Sequence, residues 1–255
     1  MNVFEFRESL IQDYAAFSRS FVTPSAPDIK KYVDTQYAEE LYWPSPYLQL
    51  NPSFVSGRSV SELVNEGILH PTCDEIFRIK RGTKEEKSLR LFRHQEQALL
   101  CAKANRSYVV TTGTGSGKSL TFFIPIIDAI LREKENATQK RTKAIIIYPM
   151  NALANSQQEE LDEFFNHFSE QQCPVSYGIY TGQESTDERR TMAANPPDIL
   201  LTNFMMLELL MTRQNELDQK VMEHCIGLDY LVLDELHTYR GRQGADVAML
   251  VRRVR

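Results

Sequence analysis

A chain of 255 residues has room for one large domain or two modest ones, and 42% hydrophobic with 25% charged residues is an ordinary globular balance. The formal net charge of −5 excludes a uniformly basic nucleic-acid coat, so any nucleic-acid contact must come from local patches. Four scattered cysteines, Cys73, Cys101, Cys173 and Cys225, have neither metal-ligand spacing nor the density of a disulfide scaffold. Reduced thiols, charged residues Glu5, Arg7 and Glu8 where a signal peptide would be apolar, and no apolar run of membrane length together predict a cytoplasmic protein with no membrane partner.

Residues 1 to about 21 pattern as an amphipathic helix, with Leu10, Tyr14, Phe17 and Phe21 as a core-facing stripe and Glu8, Asp13 and Arg19 off it. The stretch from Thr23 to Pro27 breaks it, and Asp28 is expected to cap a second helix with Ile29, Tyr32, Val33 and Leu41 on one side. Trp43-Pro44-Ser45-Pro46 cannot be regular helix, and 47–54 reads as extended. Ser59 and Glu62 have capping-box spacing for a short helix, and Thr72–Ile79 has room for one turn or two. The charged run 80–87 reads as a solvated linker, so residues 1–85 are expected to form a small, mainly helical accessory segment and 86–255 the principal domain. A helix is expected from about Gln95 to Ala104.

The stretch that follows carries chemistry. Tyr108-Val109-Val110-Thr111 is strand-like, Thr112-Gly113-Thr114-Gly115-Ser116-Gly117 is a glycine-rich turn, and Lys118-Ser119 opens a helix that runs to about Arg132. Only glycine lets the backbone turn this tightly while aiming its N–H groups at one point, and the helix start adds partial positive charge. Lys118 can reach the β/γ-phosphates of a nucleotide and the Ser119 hydroxyl can hold Mg²⁺. Thr112 stands where the strict phosphate-loop template has glycine.

Beyond a polar loop, strands and helices alternate. Strands are expected at 144–148, 175–180, 199–201 and 228–233, with helices at 155–168, 184–194, 204–211 and 245–253. The continuous apolar run Ala144–Tyr148 is of buried parallel type. This beat predicts an α/β fold with a parallel sheet covered by helices on both faces. The last strand ends in Asp234-Glu235-Leu236-His237. Ligands of such sheets bind at the carboxyl ends of strands. Asp234 there would hold Mg²⁺, Glu235 would orient and deprotonate the attacking water, and His237 would sense the nucleotide.

Together, Thr112–Ser119 and Asp234-Glu235-Leu236-His237 resemble motifs I and II of superfamily 2 DEAD/DEAH-box (DExH) helicases. Gln95 resembles the upstream glutamine motif, whose amide suits the adenine edge. Tyr148 to Ala154 with Gln157 resembles motif Ia, and Thr181-Gly182 and Thr202-Asn203 resemble the later single-strand-binding motifs. The stretch 237–248, together with Trp43-Pro44 and Leu48-Gln49-Leu50-Asn51-Pro52, is similar to the Lhr-like and YprA/MrfA-type DNA-repair and defence branch; Arg240 there is read as a contact to nucleic acid or a neighbouring domain, with a simple surface arginine as the close alternative.

The resemblance implies a P-loop, RecA-like fold, ATP and Mg²⁺ as cofactors, and a single-stranded nucleic-acid partner, DNA ahead of RNA. It implies strand contacts from Pro149, Asn151, Gln157, Thr181, Gly182, Thr202 and Asn203, made without base readout. It further implies that this is the N-terminal portion of a longer helicase, incomplete at its C-terminus. A motif III strand between those of motifs I and II, and a second RecA-like domain with an arginine finger, are absent from this chain. Such a finger is worth about 10³ to 10⁵ in rate. On that reading the sheet has a gap and the chain alone hydrolyses ATP negligibly. Another P-loop ATPase, or a truncated, non-catalytic nucleotide- or strand-binding module, are the competing readings.

Overall fold

The computed structural model describes residues 2–21, 24–39, 42–44, 47, 54–113, 115–136, 140–169 and 173–254. Leu41, Thr114 and the stretch 48–52 lie outside these residues, as does most of the segment read as extended. The chain forms two compact units, Met1–Ser53 and Phe54–Arg255.

In the first unit, helix α1 (Val3–Ser20) is capped by Asn2, and α2 (Pro27–Ala38) starts on Pro27, with Asp28 inside its first turn and not at the cap. The expected core stripe of α1 is exposed: Phe17 and Phe21 are 62% and 70% accessible, and Ile11 is the buried residue of the helix. These aromatics instead touch one another, Phe17 against Phe21 and Tyr14 edge-on to Trp43. Two short helices enclose too little volume to bury such a stripe by themselves.

The second unit opens with β1 (Ser56–Ser59), α3 (Val60–Asn65), α4 (Thr72–Ile76), β2 (Arg78–Ile79), β3 (Lys87–Ser88), β4 (Arg90–Phe92) and α5 (Arg93–Lys103). The capping box on α3 forms as its spacing predicts. The run 80–87 is the exposed tip of a hairpin joining β2 to β3, with Lys80 and Gly82 at positive φ, and not an open linker. Val60, Leu63, Cys73, Ile76 and Phe77 share the core of the sheet domain, so residues 54–79 pack on it as a layer.

Next come α6 (Leu120–Lys134), β5 (Ala144–Tyr148), α7 (Asn151–Phe165), β6 (Tyr177–Tyr180), α8 (Thr186–Ala194), β7 (Ile199–Asn203), α9 (Phe204–Thr212), α10 (Glu216–Glu223), β8 (Tyr230–Leu233) and α11 (Gly241–Val254). The strands form a parallel sheet in the order β6-β7-β5-β8. Side chains alternate across it. Ala144, Ile146 and Tyr148 enter a core with α6 and α7, whereas Ile145 and Ile147 enter one with α9, α10 and α11. All five β5 residues are buried, as a strand covered on both faces must be. Buried Asp128 of α6 accepts the His70 N–H at 2.7 Å and pairs with Lys103 of α5 and Arg132, tying the helix after the phosphate loop to its neighbours.

One expected strand does not form. Residues 106–113 run as irregular backbone, with Val109 74% exposed. Among the described residues no strand lies between this stretch and β8. A cleft of about 1890 Å³, lined by 108–113 on one side and Tyr230–His237 on the other, opens there. The β-branched run has no adjacent ladder to pair with, and intrinsic preference alone does not hold a strand.

Candidate active site and strand-facing loops

The glycine-rich loop lies directly before α6, whose N-terminus favours an anion. Gly115 and Gly117 take positive φ of 74° and 64°, which disfavours any side chain there. At Gly117 space is also closed, since a Cβ would lie 2.7 Å from Gln95 Nε2. The Lys118 ammonium donates to the carbonyls of Thr112 and Gly113 at 3.2 and 3.3 Å, folding back over the loop. The Thr112 and Ser116 hydroxyls share a 2.6 Å hydrogen bond that pins the turn. Thr114 lies outside the described residues.

Gln95 is buried and its amide is committed to the loop. Its Oε1 accepts from the Phe92 N–H at 2.7 Å, and its Nε2 donates to the Gly117 and Ser116 carbonyls at 2.8 and 3.3 Å. It braces the phosphate loop in this conformation and does not present a free edge to a base. A ring nitrogen of His94 also reaches the Ser116 carbonyl, at 3.1 Å.

Across the cleft, the Asp234 N–H donates to the Ile147 carbonyl at 2.9 Å, extending the β8 ladder by one residue. Lys118, Asp234, Glu235 and His237 all line the same cleft. Burial raises the Asp234 pKa above the ordinary carboxylate value. The Glu235 charge adds to the rise, while the Glu235 N–H, Lys118 and His237 oppose it. Glu235 holds a left-handed backbone, φ 47° and ψ 43°, at the turn into a short 3₁₀ segment (Leu236–Thr238). Its carboxylate sits 3.1 Å from His237 Nδ1.

Two groups at this site carried no sequence signal of their own. Glu160 of α7 accepts from Gln157 Nε2 at 2.9 Å, and burial raises its pKa while the Ser119 hydroxyl beside it holds it down. The Tyr148 hydroxyl is fully buried without a partner, and both Asp234 and Glu160 add to the burial that raises its pKa. The buried, unpartnered Tyr148 hydroxyl, within the field of Asp234 and Glu160, would suit the water shell of a cation such as Mg²⁺. No group of three or more His, Cys, Asp or Glu among the described residues could hold a metal alone. Mg²⁺ here would therefore need phosphate oxygens as well, its usual manner of binding. The spacing Gln157-x-x-Glu160, one face of a helix, was the legible hint.

The expected strand contacts divide. Asn203 Nδ2 donates to Asn151 Oδ1 at 2.7 Å and to the Thr181 carbonyl at 3.3 Å, bringing three of the expected loops together at the carboxyl ends of β5, β6 and β7. Pro149 is half-buried beside them and Gly182 is exposed. Thr202 is a correction: it is fully buried and its hydroxyl donates to the Tyr180 carbonyl at 2.6 Å, so it supports the loop from within. Gln157 likewise turns to Glu160, with its Oε1 buried and unpartnered. The Thr181 and Gly182 donors are occupied by Glu184.

A phosphate loop and an acidic strand end facing one cleft of a parallel sheet define a P-loop nucleotide-binding domain. The chain belongs to the DEAD/DEAH box helicase family, whose pattern matches residues 92–255. It is 30% identical over 207 residues to the ATP-dependent helicase YprA of Bacillus subtilis (strain 168), a match covering 81% of this chain and 24% of that protein. Among solved structures it is similar to the DUF1998 helicase MrfA bound to DNA, with a TM-score of 0.61 and 25% identity over 80% of this chain and 24% of that one. The helicase Lhr of Mycobacterium smegmatis bound to ssDNA and AMP-PNP matches at a TM-score of 0.52 and 25% identity, covering 63% of this chain and 20% of that one. The chain thus spans a quarter or less of the length of these relatives.

Proposed function

We propose that this chain is the ATP-binding portion of a nucleic-acid helicase that, in its full length, couples ATP hydrolysis to translocation along a single strand. The observation that carries this is the single cleft shared by Lys118 and the Asp234-Glu235 pair. Lys118 would leave the Thr112 and Gly113 carbonyls to clamp the β/γ-phosphates, and the 113–119 loop would cradle them with its N–H groups. Ser119 and Asp234 would hold Mg²⁺, which neutralises charge on the phosphates when bound. Glu235, within reach of His237, would orient and deprotonate the attacking water, with His237 as the group that reports the nucleotide to the rest of the motor. Gln95 would act chiefly through the loop that it braces.

Asn151, Asn203, Thr181 and Gly182 form the strand-facing surface, with Pro149 at its margin. The similar helicases solved with DNA support single-stranded DNA ahead of RNA as the partner. On the same reading 86–255 is the first RecA-like domain of a cytoplasmic protein; of the accessory segment expected over 1–85, residues 54–79 share the core of that domain and Met1–Ser53 form a compact unit of their own. The test is steady-state ATPase activity of the full-length protein with and without single-stranded DNA or RNA. Turnover stimulated by DNA supports the proposal; turnover indifferent to any nucleic acid rejects it in favour of another P-loop ATPase, and no turnover at all rejects it in favour of a non-catalytic binding module.

A further inference from the structure

Strand β6 is followed by Thr181 and Gly182, two consecutive N–H donors, with Thr181 buried and Gly182 exposed. Gly182 sits at a φ of 92°, and such turns point successive N–H groups into one concavity that suits an anion. The concavity is filled by the chain itself. The Thr181 N–H and hydroxyl both donate to Glu184 Oε1 at 2.7 Å, and the Gly182 N–H donates to Oε2 at 2.7 Å.

Two observations argue that this carboxylate is not simply a structural cap. Helix α8 already has a complete capping box of its own, Ser185 with Glu188, so Glu184 leaves no helix donor wanting if it moves. The loop is also held by Asn203, whose Nδ2 donates to the Thr181 carbonyl at 3.3 Å. Its shape therefore does not depend on Glu184 alone.

We propose that Glu184 is a displaceable stand-in for a backbone phosphate of the bound strand. This rests on the strand-facing reading of this surface given above. A phosphodiester, like a carboxylate, presents two anionic oxygens on one atom. It can take the same three donors, but not while Glu184 holds them, because two anions cannot share one nest. Glu184 must swing outward as the strand seats. The side chain thus sets a threshold that a strand overcomes by engaging several loops at once, and a lone anion meets the full competition.

The test uses the full-length protein and its Glu184→Gln variant, which keeps the shape and one acceptor but removes the charge. Anisotropy with a labelled single-stranded oligonucleotide should show about tenfold tighter binding by the variant, since a charge-assisted competitor has gone. Hydrogen–deuterium exchange of the peptide spanning residues 180–184 should show protection by inorganic phosphate at lower concentrations in the variant than in the parent. Equal or weaker oligonucleotide binding by the variant, with no phosphate-dependent protection, would make Glu184 a loop brace and overturn the proposal. Phosphate protection gained by the variant while neither form binds oligonucleotide would leave Glu184 as the gate of an anion nest and instead sink the strand-binding reading. Glu184→Ala guards against a local effect of the new amide, and it should match the glutamine variant in sign.

Discussion

Two loops of this domain are proposed to grip phosphate, and each is closed by the chain's own charge of a different sign. In the loop before α6 a cation, Lys118, lies on backbone carbonyls. In the loop after β6 an anion, Glu184, lies on backbone N–H groups. The first contact turns a needed ligand group inward, and an arriving phosphate recruits it by offering better oxygens. The second places a competitor in the seat, and an arriving phosphate must expel it. One loop is therefore assisted by its resting contact and the other is opposed by it.

Substitutions can break or sharpen that contrast. The largest effect belongs to Lys118→Ala, which removes the phosphate clamp. ATP turnover of the full-length protein should fall by at least about 10³-fold, with nucleotide affinity lost alongside, as seen in steady-state assays and nucleotide titrations. Glu235→Gln should lower turnover by about 10² to 10⁴-fold while binding of a non-hydrolysable nucleotide stays near parental, separating water activation from phosphate grip. Parental turnover in this variant would remove Glu235 from its assigned role.

A smaller effect is expected from Gly117→Ala. It forces a side chain into left-handed backbone and against Gln95 Nε2, and should destabilise the fold by about 1–2 kcal/mol, visible as a lower Tm. Gln95→Ala should weaken nucleotide binding by about tenfold by unbracing the loop at Gly117, an effect seen with non-adenine nucleotides as well. An effect confined to adenine would return Gln95 to base reading. The smallest is Asn203→Ala. It deletes the α9 cap and the links to Asn151 and Thr181, costing about 1 kcal/mol of stability and a few-fold in strand affinity.

What was legible in the chain follows from what is local. Glycines at 115 and 117, a lysine at a helix start and paired carboxylates after an apolar strand are each dictated by short-range chemistry, so the two halves of the nucleotide cleft could be read directly. The buried strand β5 and the apolar start of β7, Ile199-Leu200-Leu201, were equally plain, because a strand covered on both faces is largely apolar. Reading failed where the outcome depends on a neighbour. Val109 and Val110 have strand propensity but no adjacent ladder, and the aromatic stripe of α1 is exposed. Helix α10, whose Asp218 is buried beneath Tyr180 and Arg189, was not anticipated between β7 and β8. Thr202 looked like a loop hydroxyl because its burial is set by sheet depth. Glu160 and Glu184 gain their meaning from what they touch, although their three-residue spacing from Gln157 and Thr181 was there to be noticed.

The left-handed turn at Glu235 has a practical corollary. A side chain held in that region forfeits about 1 kcal/mol relative to glycine. Selection for heat resistance alone would thus reward Glu235→Gly, giving a hardier protein without its proposed water-activating carboxylate. Directed evolution of this domain for robustness should therefore screen turnover in every round, since the most tempting improvement at this position is also the one that disables the motor.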